Sequence, residues 1–496
     1  LELKTLRNSA SLNNLSIGLT EAQKLRWLYI IGGVFITFLG LFIALEQFWF
    51  LLVPIVLAVA GVALLKLDWL FLIITLLTPL SINVEDIGGG FGLALPTEPL
   101  IFGLMLVFLF RVFYDGHFDK RVMRHPLTIA IFVYLSWILI TTITSKEPLV
   151  SFKFFLSKLW YIIGFYFVAT QIFKNHNNIR KFLWMFSVTL IIVCIYTIIV
   201  HASHGFGDKP AHWVMQPFFK DHTSYGAILA MFYPLTWAYL WSKNLTVTTK
   251  IVVGVLMTIL TLAIILSYTR AAWVSLAGVL VVFIVMIARV RWWIVVMVII
   301  SGISVGLTFQ DQIMMKLEKN RQDSSDDLAE HVSSISNVAT DASNLERINR
   351  WSAALRMFEE QPVFGFGPGT YKFYYAPFQH SSQLTVISTN FGNLGNAHSE
   401  YFGPLAEMGV LGLLTLLIVI GVAIYKFIIV YYQIQNFEMR LILMSVFLGW
   451  ITYLVHGVLN NYLDLDKANV PFWGFLGILV AIELYHKDKT DEEISY

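Results

Sequence analysis

Fourteen times along its 496 residues the chain turns apolar over about the length that a helix needs to cross the hydrocarbon core of a bilayer. The runs lie near 27–45, 48–65, 68–84, 98–114, 126–144, 152–173, 181–201, 222–241, 250–268, 270–288, 291–309, 403–426, 438–457 and 470–486. Lipid offers the backbone no hydrogen-bond partners, so runs of this kind fold as helices. Composition agrees: 57% of residues are hydrophobic and only 13% charged, and a water-facing surface carries roughly twice that charge. A cytosolic enzyme, a disordered chain and a nucleic-acid binder are excluded. The expected fold is an all-α polytopic membrane protein with about 12–14 transmembrane helices; the tight pairs 48–65/68–84 and 270–288/291–309 are the weakest separations, and merging either changes the count. The single cysteine, Cys194, sits inside an apolar run and allows no intrachain disulfide.

Charge sets the expected orientation. Lys4, Arg7, Lys24 and Arg26 precede the first run, which lacks a small-residue cleavage pattern and reads as a retained helix. Fourteen crossings from a cytoplasmic N-terminus put the basic clusters Lys120–Arg121–Arg124, Lys174–Arg180–Lys181 and Lys243–Lys250 on the cytoplasmic side. The segments are then a cytoplasmic stretch 1–26, a transmembrane bundle 27–309, a long periplasmic loop 310–402 with short helices, C-terminal transmembrane helices 403–486 and a cytoplasmic tail 487–496. The first third of the long loop is polar and has little to bury. The remainder, rich in aromatics and glycine, reads as an ordered cap, and ordered long loops often carry function.

Several charged residues fall where charge is costly. Arg270 stands at the outer junction of two apolar runs, either as an anchor to headgroups or as a cation facing a polar cavity. Residues from Ser343 to Phe358 have helical periodicity, with Ser343 and Glu346 spaced as a capping box and Pro362 beyond the end. Arg347 falls within the apolar stripe of that helix and Arg350 flanks it. A buried arginine needs either a carboxylate partner or a ligand such as phosphate, which guanidinium matches with paired hydrogen bonds. Gly365-Phe-Gly367-Pro368-Gly369 reads as a tight loop returning the chain to the membrane, since no Gly-Lys-Ser/Thr follows. His398 lies at the same boundary, and imidazole can take a proton from a hydroxyl. Glu400 is placed to orient that ring, and Glu407 to pair with an arginine. The other outer segment carries His201, His204, Lys209, His212, Lys220, Asp221 and His222. Their spacing is irregular for zinc, and Lys220 and His222 suit contacts to a lipid-linked phosphate. Asn460, Asn461, Asp464 and Asp466 offer groups that suit sugar hydroxyls or plain hydration.

Three of these motifs together resemble a family. Thr269-Arg270-Ala-Ala-Trp273, Glu346-Arg347 with Trp351 and the glycine-rich segment to Gly369, and His398-Ser-Glu-Tyr401 followed by Glu407-Met-Gly409-Val-Leu-Gly412 are similar in order and spacing to the O-antigen ligase and polymerase superfamily. The resemblance implies a GT-C-like membrane glycosyltransferase in the bacterial inner membrane, acting at its periplasmic face. Its donor would be an undecaprenyl-diphosphate-linked glycan. The acceptor would be lipid A-core for a ligase, a second glycan for a polymerase, or a protein hydroxyl for an oligosaccharyltransferase. Arg270 and Arg347 would hold the diphosphate and His398 would be the base, with Arg350, Glu400, Glu407, Lys220 and His222 in support and no metal or other cofactor. A transporter of lipid-linked glycans is the competing class, because fourteen spans and charged residues in spans suit one.

Overall fold

In the computed structural model, described residues are 66–116, except 85–92; 118–291, except 244; 342–384; 395–489; Ser388; and scattered positions within 26–45 and 293–308. The tails and the polar stretch 310–341 lie outside the described residues, as do all of the run 48–65 and much of 27–45 and 291–309. Two compact units divide at Leu67 and Asp68, and everything below concerns the second.

Helix α1 (Leu67–Leu77) leads into a β-hairpin, β1 (Ile82–Val84) pairing antiparallel with β2 (Leu93–Leu95). There follow α2 (Thr97–Asp115), α3 (Pro126–Ile143), α4 (Pro148–Ile162), which runs on through a π-helical stretch to Ile172, α5 (His176–Ser203), α6 (His222–Trp241), α7 (Val247–Leu266) and α8 (Arg270–Ile287). Helix α9 (Ala342–Glu360) opens the ordered cap, and α10 (Phe402–Gln433), α11 (Phe437–His456) and α12 (Asp466–Tyr485) complete the bundle. Among the described residues nine helices are long and apolar enough to cross a membrane. The molecule is an all-α polytopic membrane protein.

One expected span differs. The run 68–84 is α-helical only over the 11 residues of α1, about 16 Å at 1.5 Å per residue and too short to cross a core near 30 Å. A 3₁₀ turn carrying Pro79 and then β1 end the helix. Ser81 at that break donates its hydroxyl to Asp466 Oδ2 at 2.6 Å, so the chain turns where a polar partner waits.

Burial orders the bundle. Helices α11 and α12 are its most enclosed spans, whereas α7 and α8 leave most of their surface outward, toward the expected lipid. Helix α6 lies along α11, and Gly449 permits the approach, because a Cβ there would stand 2.2 Å from the Met231 carbonyl oxygen. Small residues of this kind let membrane helices close up and gain van der Waals contact.

The cap locks into α10. That helix is broken at Gly409 (φ 67°, ψ −169°), and the cap supplies partners at the break. Gly367 N–H donates to the Glu407 carbonyl (2.8 Å), Phe366 N–H to that of Ala406 (3.3 Å), and Val410 N–H to that of Pro362 (3.0 Å). Ala354, Met357, Phe366, Tyr371, Tyr375, Ala397 and Ala406 form the small core between them. The glycine-rich segment is thus a tight loop seated on the membrane helix, as its composition implies.

Candidate functional site

The chain's direction through α5, α6, α8, α10, α11 and α12 brings one end of each into a common neighbourhood. These are the C-terminal ends of α5 and α11 and the N-terminal ends of α6, α8, α10 and α12. Hydrogen bonds tie the ends together. Thr269 hydroxyl donates to the His222 carbonyl at 2.8 Å, and Glu400 N–H to that of Gly457 at 2.8 Å. Thr223 and Tyr462 share a hydroxyl–hydroxyl bond.

Arg347 projects from the cap helix into this neighbourhood, its Nε donating to the Leu459 carbonyl at 3.1 Å. Protein surrounds it on most sides, although it keeps some exposure, as a group lining a crevice does. Burial lowers its affinity for the proton below the usual arginine value. Arg270, at the first turn of α8, is within electrostatic reach of Arg347 and of Asp208. His398 faces the same charges: burial first, then Arg347 and Arg350, hold its imidazole down to about 4, against a usual 6.5. It is neutral at neutral pH. Arg270, Arg347 and His398 are therefore brought into one electrostatic environment.

Local backbone fixes His398 firmly. The residue has φ +48°, a left-handed conformation uncommon for a non-glycine residue and costly enough to persist only where surroundings enforce it. Its N–H donates to Asn396 Oδ1 (3.0 Å) and its carbonyl accepts from Trp351 Nε1 (3.4 Å). Trp351 in turn stacks on Phe402, with ring centroids 5.3 Å apart. Tyr268, two residues before Arg270, is likewise left-handed at φ +50°.

The remaining expected residues divide. Arg350 takes a carboxylate on its own helix, its Nε donating to Glu346 Oε1 at 2.6 Å. It also covers the Tyr375 ring at 4.1 Å. Glu346 is thereby drawn sideways; the helix starts at Ala342, one residue ahead of the expected Ser343 cap. Glu400 turns toward the segment after α11, accepting from Tyr453 hydroxyl (2.6 Å), Tyr462 N–H (2.7 Å) and Leu463 N–H (2.8 Å). Burial raises its carboxyl above the usual range. Glu407 does not take the expected arginine; its two oxygens accept the Gly369 and Tyr371 N–H groups, each at 2.9 Å. It holds the glycine loop in place.

His222 belongs to the crevice, its ring 4.0 Å from that of His212 and within the field of Arg347. His201 and His204 instead bond the carbonyls of Gly207 and Val200, both at 2.8 Å. Lys220 lines a neighbouring cavity of about 190 Å³ with Glu98, Asp464 and Lys467. Asp466 is structural: buried, it accepts from Ser81 and from Thr97 (2.5 Å). Sequence reading missed His456 and Tyr462. His456 closes an apolar helix, where one histidine carries no periodic signal, yet it feels Arg347 and Asp221 directly. Among the described residues, His222 Nδ1, His456 Nδ1 and Asn461 Oδ1 are buried without a hydrogen-bond partner. Buried polar atoms are nearly always satisfied, and two of these three, on His222 and His456, lie in the field of Arg347.

The fold and this crevice define a multi-pass membrane protein that gathers two guanidiniums and imidazoles at one membrane boundary. Residues 255–417, which include Arg270, Arg347, His398, Glu400 and Glu407, match the family model described as O-antigen ligase. The matched stretch is about a third of the chain, and it supports a place in the O-antigen ligase superfamily and a glycosyltransferase-type activity. No curated protein shows significant similarity to it.

Proposed function

We propose that the chain is an inverting glycosyltransferase with a GT-C-like bundle that moves a glycan from undecaprenyl diphosphate to an acceptor hydroxyl at the periplasmic face of the inner membrane. An O-antigen ligase acting on lipid A-core is the leading reading, by analogy with the activity for which the family is described. One observation carries it: Arg347, from the cap helix, acts electrostatically both on Arg270, a like charge at the start of α8, and on a neutral His398. A diphosphate would relieve the repulsion and accept charge-assisted hydrogen bonds from both.

The chemistry needs little more. The donor carries its own leaving group, and the arginines stabilise the charge that develops on it as the anomeric C–O bond breaks. His398 takes the proton of the acceptor hydroxyl as its oxygen attacks from the opposite face, which inverts the anomeric centre. Seating both substrates at one boundary supplies proximity. Glu407 and Glu400 act as positioning residues, the first through the glycine loop and the second through the segment after α11. No metal enters these steps.

The test is transfer from purified undecaprenyl-diphosphate glycan to lipid A-core, to a second lipid-linked glycan and to a protein, in parallel. Product on lipid A-core supports the ligase. Product only on the second glycan or on protein makes it a polymerase or an oligosaccharyltransferase. Movement of labelled donor across liposomes with no new glycosidic bond would make it a transporter. EDTA should leave the rate unchanged.

A further inference from the structure

A cavity at the other end of the bundle plays no part in that reading. It encloses about 440 Å³ and draws on the first turns of α5 and α11 and the last turns of α6. Those turns are the opposite ends of the helices that meet at the crevice, so the cavity opens at the other membrane boundary. That end also carries Lys174, Lys243, Lys250 and Arg440, the excess of positive charge that marks a cytoplasmic side.

Its lining is graded. Leu235, Leu441 and Ile442 make an apolar floor, and Trp184 lies against Tyr239 with ring centroids 4.8 Å apart. Arg180 and Lys181 stand above them on α5 with the amide of Asn177. Glu438 is the carboxylate of the lining and accepts from Ser242 hydroxyl (2.7 Å) and Lys243 N–H (2.8 Å). The Tyr239 hydroxyl is buried and has no hydrogen-bond partner among the described residues. Cations over an apolar floor, an unused buried donor and a place at the membrane boundary match one chemistry: a phosphodiester joined to hydrocarbon. Basic pockets between helices on this side of a membrane recognise anionic headgroups.

We infer that this cavity is a binding site for an anionic glycerophospholipid, with Arg180 and Lys181 on the phosphate, Tyr239 donating to a headgroup oxygen and the acyl chains along Leu235, Leu441 and Ile442. The site is separate from sugar transfer and does not depend on how that reading fares.

Native mass spectrometry of the protein released from nanodiscs of phosphatidylcholine with a minor share of phosphatidylglycerol tests it. The wild type should retain phosphatidylglycerol in preference. R180Q/K181Q should lose that preference by about 25-fold, since each basic residue contributes about fivefold. Tyr239→Phe should weaken it by a smaller factor, in a protein that melts normally. Lys250→Gln, at the same membrane boundary but outside the cavity, should behave as wild type. Equal retention of phosphatidylglycerol by wild type and R180Q/K181Q, an equal loss in Lys250→Gln, or displacement of the lipid by millimolar inorganic phosphate would each overturn the assignment.

Discussion

At the scale of single residues, His398 carries the sharpest consequence. Its folded pKa, about 4, lies below the 6.5 of an unperturbed imidazole. Between those values the folded state binds fewer protons than the unfolded one. The contribution to stability is therefore complete above 6.5 and disappears as the pH falls toward 4. The same shift leaves the proposed base unprotonated in the free protein at neutral pH. A bound diphosphate would oppose the fields of Arg347 and Arg350, so the imidazole titrates higher in the complex. The acid limb of kcat should thus lie at higher pH than that of kcat/KM, as the first reports the complex and the second the free enzyme. His398→Gln should lower kcat by about 10²–10⁴-fold and remove the acid limb from what remains. A pH–rate series on both proteins checks this, and coincident limbs in the wild type would contradict it. The residue types at the crevice were legible in the sequence, because an arginine or histidine at a membrane boundary stands out against apolar neighbours. Where Arg347 reaches was not. Glu346 and Arg350 stand four residues apart on one helix, so their pairing is local, whereas only a distant element supplies the Leu459 carbonyl that Arg347 meets.

At the scale of elements, the joint between the cap and α10 decides whether His398 is held in place. Gly409 has a backbone conformation essentially reserved for glycine, and a Cβ there would stand 2.2 Å from the Val363 carbonyl oxygen. The conformation alone costs another residue about 1–3 kcal/mol, and the clash adds to it by pushing out the cap strand that satisfies Val410. Gly409→Ala should lower the melting temperature and the transfer rate together. Gly421, in the same helix with nothing within 4 Å of its notional Cβ, is the control: alanine there should be neutral or stabilise by about 0.5–1 kcal/mol. Equal melting of the two variants would mean that the loop does not close the break. The sequence marked both glycine clusters but could not show that one plugs the other, since a hydrogen bond between Gly367 and Glu407 spans 40 positions and leaves no periodic trace. The hairpin at 82–95 escaped for a related reason: its strands are three residues each, below the length at which alternation becomes visible.

At the scale of the whole molecule, helix direction turns two local chemistries into one arrangement with opposite faces. Apolar periodicity located most spans to within a few residues, because lipid leaves the backbone no alternative to helix. It could not foresee which helices are enclosed: α12 and α8 are both apolar, yet the first is surrounded by protein and the second is not, and contacts with distant elements decide that. The two sites lie toward opposite ends of α5, α6 and α11, so they should open on opposite sides of a hydrocarbon core of about 30 Å. Single cysteines report this directly. Cys194 is buried and should stay silent, but replacing it with serine removes any ambiguity. In that background Lys209→Cys, on the exposed surface of the segment between α5 and α6, should react with a membrane-impermeant maleimide added to sealed right-side-out cells. Lys181→Cys, at the rim of the cavity, should react only after the membrane is opened. Reaction of both from outside would place the two sites on one face, and the division of labour between sugar transfer and lipid binding would fail with it. Reaction of Lys181→Cys alone would invert the topology and move the crevice to the cytoplasmic side, where a periplasmic transferase has no substrate.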